Sequence, residues 1–144
     1  MRKVLIVIAC LGAIGFTFFG QSELKVGSVM GCYELQQGLF EADPVDGSKR
    51  AVLIPGYVGG VPRTIQELDK FHEGSVYRNI TVLSSGSIIS VDRIYWQRRL
   101  FDSVLQIRGS TPAGADRDLR ALFRQEWQDQ KLVIIPREVL RKCP

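Results

Sequence analysis

Histidine is almost missing from this 144-residue chain, where His72 stands alone. Any Ser-His, Cys-His or histidine-metal chemistry must therefore pass through one residue. Cysteine is scarce as well, with Cys10, Cys32 and Cys143 the whole complement. Two thiols outside the N-terminal run and one imidazole do not make the usual set of four soft ligands, so no metal centre is expected. Nucleotide-binding loops are lacking too. Pro55-Gly56-Tyr57-Val58-Gly59-Gly60 is rich in glycine, but a P-loop needs Lys and Ser or Thr after its last Gly, and a dinucleotide loop needs G-x-G-x-x-G opening a helix. These glycines are read as turn formers, and no cofactor is expected. The chain has no internal repeat, no low-complexity tract and no linker that would divide it.

What the chain does have is a long apolar start. Behind Met1-Arg2-Lys3, residues Val4 to Phe19 read VLIVIACLGAIGFTFF without a charge. A soluble core helix shows a polar face at 3.6-residue spacing, and this run shows none. It is slightly long for the ~7–15 residues of a signal-peptide core. It is short of the ~17–25 residues of a spanning helix. Cleavage is supported by Gly20-Gln21-Ser22, whose small residues suit a signal peptidase. Retention as an anchor would hold Arg2 and Lys3 on the cytoplasmic side. Lipidation is a third outcome, since Val7-Ile8-Ala9-Cys10 loosely resembles a bacterial lipobox. Residues 1–22 are thus expected to be a signal peptide or N-terminal membrane anchor. Residues 23–144 are expected to form one extracytoplasmic globular domain, secreted, periplasmic or held at the membrane.

Charge and thiols refine that picture. The formal net charge of +4 falls to +2 once Arg2 and Lys3 are set aside. It is unevenly spread: Glu23 to Val91 has six bases and eight acids, and Asp92 to Pro144 has eleven bases and seven acids. The cationic second half fits an anionic envelope partner, although a solvated mixed-charge face has the same composition. Cys32 and Cys143 lie near opposite ends of the domain, and in an oxidising compartment they are expected to form one disulfide. Closing so long a loop contributes up to ~4–5 kcal/mol in the chain-entropy model.

The pattern predicts a single α+β domain with a mainly antiparallel sheet. One or two short strands fall within Glu23 to Phe40, followed by the turn residues of Ala42 to Ser48 and an apolar strand over Arg50 to Tyr57. Thr64-Ile65-Gln66-Glu67 reads as a capping box opening a short helix. Val76 to Leu83 and Ser87 to Trp96 are rich in β-branched residues and flank Ser84-Ser85-Gly86, which predicts a hairpin. A reversal near Gln97-Arg98-Arg99 extends it to a three-stranded meander over about 76–108. Leu119, Leu122, Phe123 and Trp127 have helical spacing, which predicts an amphipathic helix over about 115–128 packed on the sheet. Leu132 to Ile135 reads as a further strand.

Candidate sites are few. Tyr95, Trp96, Arg98 and Arg99 combine aromatics with arginines at a strand end, which in an exported chain suits a protein or glycan contact rather than nucleic acid. Asn79-Ile80-Thr81 is a glycosylation sequon. The layout of an apolar start followed by a β-rich domain resembles that of membrane-tethered peptidases of the signal-peptidase type. That resemblance implies a Ser-Lys hydrolase with Ser28 and Lys49 as candidates. Those enzymes have a Ser-Met pair followed closely by Pro, whereas this chain has Ser28-Val29-Met30-Gly31. His72, beside Glu73, is the other catalytic candidate. The expected function is a non-catalytic exported or tethered binding or envelope-associated protein; the alternative is the hydrolase. The expected partners are the membrane, through an uncleaved N-terminal segment, and a protein or anionic envelope component, with no nucleic acid.

Overall fold

A computed structural model describes residues 20–144 except 73, 75, 100, 127–130 and 135–137. The Val4 to Phe19 run lies outside the described residues. Within them, eleven strands are laid out in chain order as β1 (Gln21–Glu23), β2 (Gly31–Leu35), β3 (Leu39–Pro44), β4 (Ala51–Leu53), β5 (Tyr77–Leu83), β6 (Ile88–Arg98), β7 (Ser103–Ser110), β8 (Asp116–Asp118), β9 (Phe123–Glu126), β10 (Lys131–Ile134) and β11 (Leu140–Lys142). Nine belong to one sheet in the order β11-β2-β6-β7-β8-β4-β3-β5, with β1 also on β6. β9 and β10 pair separately. Every pair is antiparallel except β4 with β8. The expected small, mainly antiparallel sheet domain is present.

The sheet curls back on itself through one long interrupted ladder. β2 pairs with β6, with Glu34 opposite Ile88, and β3 pairs with β5, with Leu39 opposite Leu83. The register is therefore unbroken across residues 36–38 and 84–87, five steps forward in one strand and five back in the other. Ser84-Ser85-Gly86 is a corner of this ladder. Gly86 sits at φ 83°, open to glycine without steric cost, and its N–H donates to the Leu35 carbonyl at 2.8 Å. The hairpin expected between Val76 and Trp96 is thus corrected: β5 and β6 meet different partners, and only β6–β7 of the expected meander is a hairpin. A bent ladder and a hairpin share the same alternation and the same turn residues, so sequence pattern alone does not separate them.

The curled sheet encloses the main core, formed by residues such as Tyr33, Leu35, Leu39, Val52, Ile89, Ile94, Ile107, Leu119 and Leu122. A second cluster lies on the outer side of β3 and β4, where Phe40, Ala42, Ala51, Leu53 and Val61 are covered by Val58, Ile65 and Leu68. β4 therefore has apolar side chains buried on both faces, which explains its unbroken Ala-Val-Leu run. Ile65–Lys70 is a 3₁₀ helix rather than an α-helix. The expected capping box is not formed: the Glu67 carboxylate accepts at 3.1 Å from the N–H of Arg63, one residue before the N-cap, and the Thr64 side chain makes no cap bond.

The helix expected over 115–128 is absent from its described part, 115–126. Those residues form β8, a 3₁₀ turn at Arg120–Leu122 and β9. The apolar spacing is real, with Leu119 and Leu122 fully buried, but a strand followed by a tight turn delivers both to the core. An α-helix would also remove β8 from β7 and β4, breaking the pairing of Asp118 with Arg108 and Ala51. Tertiary pairing overrides the local helical preference. Gly109 on β7 permits this close packing, because a Cβ there would run into the Ser90 carbonyl and the Leu119 side chain.

Cys32 and Cys143 are joined by a disulfide, with Cα atoms 5.4 Å apart. The Cys143 N–H donates to the Cys32 carbonyl at 3.1 Å, extending the β11–β2 ladder. No helix among the described residues is long and apolar enough to cross a membrane.

Candidate functional site

The outer face of β6 and β7 is polar because of one extra residue. Between Val91 and Arg93 the register of β6 against β7 shifts, so that Asp92 bulges out. Val91 and Ile94 both point into the core, and without the bulge residues three apart would point to opposite faces. The same shift puts Arg93, Tyr95 and Gln97 on the outer face. Arg93 there stands directly opposite Arg108 of β7.

A trough of about 680 Å³ runs over this face, lined by Gln21, Lys49, Arg93, Tyr95, Arg108 and Asp116, among others. Its volume falls in the ordinary range of small-ligand sites, roughly 300–1,000 Å³. Arg93 donates to the Tyr95 hydroxyl at 3.4 Å, and that bond pushes the Arg93 guanidinium further up from its already high value. Gln106 donates to the Gln97 amide oxygen at 2.7 Å, and Ser90 to the Asp92 carboxylate at 2.7 Å. Lys49 pairs with Asp116. Arg108 leans 4.0 Å from Asp118, which is engaged more closely by Arg120 at 2.6 Å. The buried Nη1 of Arg108 finds no hydrogen-bond acceptor among the described residues. Lys49, Arg93 and Arg108 face Asp92 and Asp116, so the lining has a cationic excess.

Like charges directly opposite on adjacent strands cost stability. The Arg93–Arg108 pair is tolerated on a wet face and needs a counter-charge to become favourable. Chemically, the trough offers two guanidiniums for an acidic group, a phenol ring as a stacking platform, and amides and carboxylates for hydroxyls.

A second hollow of about 650 Å³ lies where Val45, Tyr57, Val58, Val76 and Tyr77 surround the Asp118–Arg120 pair. Its lining is mainly apolar side chain, and burial pushes the Tyr77 hydroxyl up.

The residues singled out from sequence are distributed as follows. Tyr95 and Lys49 meet in the trough. Trp96 lies on the opposite side of β6 from Tyr95, and Ser22 and Leu105 flank it in register. Arg98 and Arg99 stand exposed at the end of the β6–β7 hairpin. Ser28 is in the exposed turn before β2, where its carbonyl accepts from Lys142 at 2.9 Å. His72 is exposed after the 3₁₀ helix. Among the described residues, no hydrogen bond or ion pair joins Ser28, Lys49 and His72 to one another. The Lys49 side chain is half exposed against Asp116, unlike the desolvated amine that a serine-activating lysine requires. The sequon is bound into the fold: Asn79, at φ 50°, donates to Asp43 at 3.0 Å, and the Thr81 hydroxyl accepts from Arg50 at 2.6 Å. No His, Cys, Asp and Glu cluster suited to a metal ion occurs among the described residues.

Arg93, Gln106, Arg108 and Asp116 did not stand out in the sequence. The signal that finds them is the break of alternation at Val91-Asp92-Arg93. Comparisons of the chain with protein families, with curated proteins and with solved structures find no match.

Proposed function

We propose that the protein is a non-catalytic binding protein of the extracytoplasmic envelope, exported or tethered by its N-terminal run, and that the outer trough of β6 and β7 binds an acidic envelope polymer. The observation that carries this reading is the in-register Arg93–Arg108 pair beside Tyr95. Two guanidiniums side by side fit a carboxylate or phosphate, and the neighbouring ring fits the flat face of a sugar. The Cys32–Cys143 disulfide agrees with an oxidising compartment.

The test is binding to immobilised carboxylated, phosphorylated and neutral glycans across a salt series. Arg93→Ala and Arg108→Ala should each weaken binding to one of the acidic polymers at least tenfold and reduce the salt slope, while the neutral polymer binds poorly throughout. Binding that ignores both substitutions, or that prefers the neutral polymer, sinks the reading.

A further inference from the structure

We propose that the end of the β6–β7 hairpin is a membrane-contacting surface, with the Phe101 ring among lipid headgroups and Arg98 and Arg99 against their phosphates. The proposal rests on the reading of Val4 to Phe19 as a retained anchor. Phe101 is 95% exposed, whereas the other exposed large apolar side chains described range from 41% to 51%. It takes no part in either core. An aromatic ring beside two exposed basic side chains is the composition that settles at a bilayer surface, where the ring occupies the headgroup layer and the cations meet phosphate. Asp102 is the one acid at this end and leaves it net positive.

The placement is what joins this composition to a membrane. The Arg98 N–H donates to the Gly20 carbonyl at 3.0 Å, and Gln21 pairs with Gln97. Gly20 follows Phe19, the last residue of the apolar run. The chain that would carry the anchor thus joins the domain beside Arg98. A residue spans at most about 3.6 Å, so an anchored chain has almost no slack here and must bring the hairpin end to the lipid surface.

The full chain is reconstituted into nanodiscs of phosphatidylcholine, with or without one third phosphatidylglycerol, some made with brominated acyl chains. Fluorescence of the Phe101→Trp variant is read against the unsubstituted chain, which supplies the background from Trp96 and Trp127. Phe101→Trp changes an exposed side chain and leaves the fold intact. The added signal is expected to be blue-shifted, quenched by the bromines and shielded from aqueous iodide. Each of Arg98→Glu and Arg99→Glu, placed in that background, should reduce the preference for anionic discs roughly fivefold. An introduced tryptophan that iodide quenches freely in both lipids overturns the proposal. Alkaline carbonate extraction of cell membranes separates the anchor from the hairpin contact. A chain that stays in the membrane with a wet hairpin end disproves the contact but keeps the anchor. A chain released by carbonate loses both. Shielding that grows with the number of chains per disc, without bromine quenching, assigns the surface to a second copy instead.

Discussion

The two halves of the curled sheet are held in different ways. Around β3 and β4 both faces are covered, by the main core on one side and by the Phe40 cluster on the other. The remaining polar groups there are used up within the fold. Arg50 donates to the Glu41 and Asn79 carbonyls and the Thr81 hydroxyl and pairs with Asp43 at 2.9 Å, while Arg117 pairs with Glu41 at 2.8 Å. Around β6 and β7 only the inner face is covered, and the flank of β6 is secured through β2 by the Cys32–Cys143 bridge. One half is stabilised by double burial and a satisfied ion network, the other by a covalent tie. The second arrangement leaves the outer face of β6 and β7 uncovered, and the trough lies on that face.

Removing the tie tests the contrast most severely. Cys32→Ala with Cys143→Ala should lower stability by about 4–5 kcal/mol in guanidinium unfolding, and hydrogen exchange should rise first in β2 and β11. A uniform rise across β3 and β4 would show that the halves are not separable. Next, Glu41→Ala strands Arg117, whose side chain is only 11% exposed, and should cost about 3 kcal/mol. Glu41→Leu with Arg117→Met should cost less than Glu41→Ala alone, since stranding a buried charge is worse than replacing the pair. If it costs more, the network contributes net stability.

Tyr33→Phe removes the bond its hydroxyl donates to the Val29 carbonyl at 2.7 Å and should cost about 1 kcal/mol. Burial raises the folded-state pKa of Tyr33 and Tyr77 above the ordinary phenol value. Their contribution is therefore fully present below about pH 10 and is lost as pH climbs through the raised values. The Tyr33→Phe, Tyr77→Phe double variant should flatten that alkaline decline in a pH series of unfolding curves. The smallest effect is the most telling. Arg93→Thr removes a like-charge neighbour of Arg108 and should raise the unfolding midpoint slightly, while binding to the acidic polymer falls. A loss of stability would mean that Arg93 is structural.

Much of the frame is visible in the amino-acid order. The pairing of Cys32 with Cys143, the turn at Pro55-Gly56 that follows β4 and the β6–β7 reversal after Arg98 all follow from residue type and spacing. Two features do not. Leu119, Leu122 and Phe123 satisfy a helix and a strand-turn path equally, and the choice is made by the pairing of β8 with its sequence neighbour β7 and with the distant β4. The site is hidden for a related reason. A bulge at Asp92 reverses which side chains face out, so Arg93 joins Arg108 and Tyr95 only after the pairing with β7 is known. Tyr95 and Lys49 are recoverable as unusual residues; their meeting place is not.

The bridge between Cys32 and Cys143 also carries timing information. The two thiols are separated by 111 positions, and nearly every strand of the sheet is encoded between them. In a chain made from its N-terminus, Cys32 has no Cys143 to pair with until everything from β3 to β11 has been synthesised. Native oxidation therefore marks completion of the entire sheet, because the bridge cannot close before β11 exists.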